Sequence, residues 1–179
     1  MILGIDKLHR MVREKKLVEN LCEREANTPE GAGFDFRINR LFKINSSGYL
    51  GEKERETPGT ELIAGHKEGE TTTVILEPGE HYLMDTIEKV NTPEDIVIRF
   101  KPRITLFRSG VHLVSGSCAP GYSGNLFFAL YNMGKYPFKL ELGARVAHAT
   151  FHKVEGSSNL YKGQWQGGRV TTDGKETQI

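Results

Sequence analysis

Hydrophobic positions along the chain change period once, and that change divides the sequence. In MILGIDKLHRMVREKKLVEN, Leu8, Met11 and Val12, extended by Lys15, fall at i, i+3 and i+4 and form one apolar stripe. The spacing predicts an amphipathic helix over 1–20, capped by Asp6 and lying across the rest of the fold. Residues 26–33 (ANTPEGAG) interrupt it with Pro and Gly, after which 34–41 (FDFRINRL) alternate with period two. That alternation predicts a half-buried strand with Phe34 and Phe36 on one face and Asp35 and Arg37 on the other. From residue 72 onward short apolar or alternating runs recur near 73–76, 82–87, 96–100, 111–114, 125–131, 138–142 and 145–151. Turn signals such as Pro78-Gly79, Ser109-Gly110, Pro120-Gly121 and Gly143 separate them. Many short strands with regular punctuation and no helical crossover predict an all-β barrel or sandwich of jelly-roll type.

The stretch 45–71 (NSSGYLGEKERETPGTELIAGHKEGET) stands apart, being polar and glycine-punctuated, with only 61–64 able to form a short strand. It is expected as a surface hairpin or insertion. The 179 residues suffice for a single domain, 1–179, with a real core. A net charge of +1 and a pI of about 7.8 give no global basic field for nucleic acid or a membrane surface, so any anion site must be local. Cys22 and Cys118 lie far apart, without a CxxC or Cys/His cluster; they offer no metal framework and suit a reducing cytoplasm. With no signal-peptide core and no apolar run of about 18 residues, the expectation is a soluble, cytoplasmic protein without a membrane partner.

Charge then singles out one region. From Ile96 to Leu140 there is no Asp or Glu, although 23 acids in 179 residues would place roughly six in such a span. Arg99, Lys101, Arg103, Arg108, Lys135 and Lys139 all fall within it. The region is suited to holding an anion and poorly equipped to activate water.

Five motifs, at 76–96 (LEPGEHYLMDTIEKVNTPEDI), 103–111 (RITLFRSGV), 119–132 (APGYSGNLFFALYN), 135–151 (KYPFKLELGARVAHATF) and 161–170 (YKGQWQGGRV), stand in an order that resembles the dCTP deaminase and trimeric dUTPase superfamily. The YxGxxQG ending is closer to the deaminase branch. The resemblance implies a dUTPase-like distorted jelly-roll barrel, assembled as a homotrimer with sites between subunits. Each site would take a pyrimidine deoxynucleoside triphosphate, with no cofactor beyond the Mg²⁺ that accompanies the phosphates. It implies Arg103, Thr105 and Arg108 as phosphate ligands, a role that suits guanidinium forks and a hydroxyl donor; Ile104 replaces a usual serine and removes one donor. It further implies nucleotide contacts from Ser123 and Tyr131, with Asn132 ending the pocket strand. A C-terminal tail, 156–179, would close over the ligand through Tyr161, Gln164 and Gln166. The plain alternatives are two surface arginines flanking an ordinary strand, a structural turn at Gly121 and Gly124, and Trp165 as a packing anchor.

The departures from the family concern catalysis. Deamination needs a group to take and return protons, and the chain has no zinc-deaminase H-x-E and P-C-x-x-C spacing. By resemblance, the deaminase glutamate falls at Ala129 and the dUTPase aspartate at Ala119. Loss of such a base removes roughly 10²- to 10⁴-fold in rate. Glu141, beside a turn and facing solvent, and His148, better suited to a structural role, are weak substitutes, as are His112, Asp35 and Asp173. Three readings stay open. They are a dCTP deaminase-like enzyme (dCTP and water to dUTP and ammonia), a catalytically silent homotrimeric nucleotide-binding or regulatory relative, and a dUTP diphosphatase.

Overall fold

The computed structural model describes residues 1–178; Ile179, the last residue of the expected tail, lies outside the described residues. Helix α1 (Ile5–Lys15) is shorter than the expected 1–20 because Lys16 takes a left-handed conformation (φ 51°) and its N–H turns back to Met11 and Val12 carbonyls. Gly4 rather than Asp6 occupies the N-cap; Asp6 lies in the first turn, where its charge still complements the helix dipole. Leu8 is fully buried. The chain then enters β1 (Val18–Glu19), which pairs through Val18 with Val90.

After α2 (Glu23–Asn27) and β2 (Phe34–Ile44) come β3 (Tyr49–Leu50), β4 (Glu54–Glu56) and β5 (Thr60–Gly65). The expected single strand in 45–71 is thus three. Next follow β6 (Thr73–Leu76), β7 (His81–Asn91), β8 (Ile96–Pro102), α3 (Ile104–Arg108), β9 (Val111–Val114) and β10 (Ser123–Asn132). The order ends with β11 (Phe138–Glu141), β12 (Arg145–Lys153) and β13 (Glu176–Thr177). The arginine motif is therefore a single helical turn rather than part of a strand: buried Leu106 pegs it to the barrel while Thr105, Phe107 and Arg108 stay exposed.

The main sheet runs β8-β12-β2-β7-β10-β9, with β1 added to β7 and β5 to β2. Strand β2 serves two layers. Its first residues pair with β12, Phe34 opposite Ala149 and Phe36 opposite Ala147, and its later ones with β7, Leu41 opposite Met84 and Phe42 opposite Leu83. A register shift between Ile38 and Leu41 bends it from one layer to the other. Phe34, Phe36, Ile38, Met84, Leu130 and Phe151 fill the space between, all fully buried, each worth about 1.5–3 kcal/mol of transfer free energy. The result is the expected all-β jelly-roll barrel.

Two differences from the sequence pattern bear on function. Asp35 is buried rather than half-exposed, because α2 folds over its face and Glu25 Oε2 accepts the Asp35 N–H at 2.9 Å. The 45–71 segment, expected as a free surface element, gives β5 to the main sheet and joins the C-terminus in a second sheet, β13-β4-β3. Thr57 N–H donates to Thr172 Oγ1 at 3.0 Å, and Thr171 Oγ1 donates to the Pro58 carbonyl at 2.7 Å. Among the described residues no helix is long and apolar enough to cross a membrane.

Candidate functional site

A cleft of about 450 Å³ opens beside β10, a size suited to a small organic ligand. Phe127, Phe128 and Leu83 form its floor, residues 116–119 one wall, and Tyr122, Tyr161 and Trp165 an aromatic end. Its roof comes from two distant parts of the chain, Thr57 and Pro58 from the 45–71 segment and Arg169 and Val170 from the tail. Tyr122 and Tyr161 meet edge to face, ring centroids 5.3 Å apart, and the Tyr161 hydroxyl accepts the Trp165 N–H at 3.1 Å. The tryptophan expected as a packing anchor is thus part of the cleft wall.

Among the described residues no carboxylate lines this cleft. Ala119 stands in the wall, in the turn before β10. Ala129 lies between Leu83 of β7 and Val114 of β9 in the strand register. Two positions along β7 from Leu83 is Asp85, opposite Phe127, but Asp85 is spent: its Oδ2 accepts Arg40 Nε and Nη2 at 2.9 and 2.5 Å and its Oδ1 the Arg40 N–H at 2.9 Å. Glu141 is exposed on β11, outside the cleft lining, and His112 is exposed on β9. Cys118 is in the wall, but burial pushes its thiol up to about 11, so it stays protonated and unreactive at neutral pH. Among the described residues no group of three or more His, Cys, Asp or Glu side chains could hold a metal ion.

Of the six cations in the acid-free stretch, Arg103 alone is paired among the described residues. Its Nη1 donates to Asp35 Oδ2, which also accepts Arg145 Nη1 at 3.1 Å. His148 completes the cluster, Nδ1 lying 2.9 Å from Asp35 Oδ1. Burial and the neighbouring Arg103 hold His148 below the ordinary imidazole range, so it is neutral and donates an Nδ1 proton. Arg108 projects from the end of α3 without an ion pair among the described residues, and Thr105 is exposed on the same turn. None of Arg103, Thr105 and Arg108 lines the cleft of its own chain.

The tail residues do something the sequence did not signal. Gln166 bridges the turn before β10, accepting the Ser123 N–H at 3.2 Å and donating to the Gly121 carbonyl at 3.1 Å. Gly167 N–H donates to the Ser123 carbonyl at 2.8 Å. Ser123 and Gln166 thus face each other, while the Ser123 hydroxyl donates to Asn91 at 2.6 Å. Tyr161 lines the cleft; Gln164 is not part of the lining, and both its side-chain amide atoms are buried without a hydrogen-bond partner among the described residues. Tyr131 is remote, packed near His81 with ring centroids 6.4 Å apart, and Asn132 is a buried brace that donates to the Leu76 and Tyr136 carbonyls. Arg169 and Thr57 are cleft residues that sequence reasoning missed, since no period or spacing joins positions more than a hundred residues apart.

Comparison with known proteins agrees with this architecture. Residues 2–154 match the family described as dCTP deaminase-like. A probable deoxyuridine 5'-triphosphate nucleotidohydrolase of Methanothermobacter thermautotrophicus is 31% identical over 87% of this chain and 99% of its own. A dCTP deaminase of Pyrococcus furiosus is 32% identical over 87% of this chain and 88% of its own. Among solved structures, the 2'-deoxycytidine 5'-triphosphate deaminase of Agrobacterium tumefaciens superposes with a TM-score of 0.65 at 14% identity, over 86% of this chain. The match spans about half, 48%, of that deaminase, and at such identity the likeness is one of fold. Sequence and fold together make this chain a member of the dCTP deaminase-like family, within the superfamily of dCTP deaminases and dUTPases.

Proposed function

We propose that this protein binds a pyrimidine deoxynucleoside triphosphate at sites shared between the copies of a homotrimer, and holds the nucleotide without turning it over. The base enters the cleft against Phe127, under Tyr161 and Trp165. The phosphates, with Mg²⁺ as their companion, meet Arg108 and Thr105 on α3 of a neighbouring copy. The carrying observation is that among the described residues no Asp or Glu lines the cleft, with alanine at 119 and 129. Proton transfer in either family reaction needs an acceptor within hydrogen-bond reach of the reacting water. That α3 lies outside the cleft of its own chain supports a shared site.

Incubation of the purified protein with dCTP or dUTP and Mg²⁺, following ammonia and pyrophosphate, tests the reading alongside calorimetric titration. Saturable binding with neither product is expected, and Arg108→Ala should weaken binding by about 10- to 100-fold through loss of a charge-assisted hydrogen bond. Release of ammonia would restore a deaminase, and release of pyrophosphate a diphosphatase.

A further inference from the structure

We propose that Arg169 is a specificity-determining residue, selecting a pyrimidine with two ring carbonyls over one that carries an exocyclic amine. The inference rests on the nucleotide-binding reading above. Among the described residues Arg169 is the one charged side chain in the cleft lining. A guanidinium offers five N–H donors and no acceptor. Its Nη2 is held by Glu176 Oε1 at 2.6 Å and by Asp173 Oδ2 at 3.4 Å, and it is the one Arg169 nitrogen so engaged among the described residues. Glu176 in turn is fixed on β13 by its pairing opposite Arg55 of β4. The fork is therefore set in place by the protein's second sheet before any ligand arrives, with Nε and Nη1 left to donate.

Of the other polar side chains of the lining, the Ser117 hydroxyl is exposed and can donate or accept, so it serves a carbonyl or an amine alike, while Thr57, Tyr122 and Tyr161 are engaged within the chain. Thr57 Oγ1 is occupied by the Thr172 N–H at 2.9 Å and by Thr171 Oγ1 at 3.0 Å. The Tyr122 hydroxyl donates to the Asn125 carbonyl, and that of Tyr161 accepts from Trp165. Among the described residues no carboxylate lines the cleft to accept from an amine. The two bases share the C2 carbonyl and differ at C4, where a uracil-type base offers a carbonyl oxygen to such a wall and cytosine turns an amine donor toward a donor. Two donors that face each other each give up a hydrogen bond to water without a replacement, which makes this kind of mismatch discriminating.

The test is calorimetric titration of the full chain with the α,β-imido analogues of deoxyuridine and deoxycytidine triphosphate. The wild-type protein should favour the uracil analogue by about tenfold or more. Arg169→Gln should bring the two affinities within about twofold of each other, and Arg169→Lys should retain part of the preference. Equal affinities in the wild type, or a preference for cytosine, would overturn the proposal. So would an Arg169→Gln variant that loses the same factor for both analogues, since that marks a tail anchor that does not read the base. Failure of the wild type to bind either analogue has a different meaning and removes the nucleotide-binding reading itself.

Discussion

Asp35 is where Arg103, Arg145 and His148 converge, and Glu25 adds a second buried carboxylate that Arg145 and Arg24 share. Three guanidiniums surround these two buried acids, with the exposed Glu30 on the outer side of Arg24 at 3.3 Å, so deleting Asp35 leaves Arg103 and Arg145 facing each other without the carboxylate between them. Asp35→Ala should lower stability by about 1–3 kcal/mol, less than for a fully buried pair because the arginines keep some water; the midpoint of urea unfolding measures it. His148 gives the cluster a pH signature. Its pKa is lowered by burial, so below the unfolded value of about 6.5 the unfolded chain binds more protons than the folded one, and stability falls as pH drops through that window. The melting temperature should decline below about pH 6.5, and His148→Gln should flatten that decline. Period-two alternation placed Asp35 opposite Phe34 and Phe36, yet a polar residue facing solvent and one facing buried arginines have the same pattern. The partners that decide between them come from α2, α3 and β12, and only the fold brings these together.

At the level of elements, the tail and the 45–71 segment act as one unit over the cleft. The contact that seats the tail is a backbone approach at Gly124, with φ 150°, where an added Cβ would lie 2.6 Å from the Gly167 carbonyl carbon and the Gly168 nitrogen. Backbone on both sides leaves nothing flexible to yield. Gly124→Ala should therefore expel the tail while leaving the barrel intact. Trypsin cleavage after Lys162 and Arg169 should accelerate by about tenfold or more, since protection depends on local opening, while the melting temperature of the remaining core shifts little. The strand runs of the barrel were legible because each carries its own alternation; 73–76 and 111–114 match β6 and β9 end to end. The second sheet was not. Its strands have two or three residues each, too short for a period, and Thr57 finds Thr172 across 115 positions of sequence.

For the whole molecule, the decisive matter is where Arg108 of α3 acts. Within one chain it lies outside the cleft lining, and on the shared-site reading cleft and cation come from different copies, with three such junctions in a cyclic trimer. Light scattering should give a mass near 60 kDa, three times the 20.1 kDa chain. A mixing experiment goes further. Arg108→Ala removes the cation and leaves the cleft; Gly124→Ala disturbs the cleft and leaves the cation. Each variant alone should bind triphosphate weakly. Co-expressed in equal amounts, random trimers place an intact cleft next to an intact arginine in about a quarter of junctions, and that fraction of sites should regain wild-type affinity. If the arginine served the cleft of its own chain, no junction would combine the two intact halves and the mixture would bind as weakly as its parents. The stoichiometry of the tight phase in a titration of the mixed trimers thus reads directly which chain supplies the phosphate ligand.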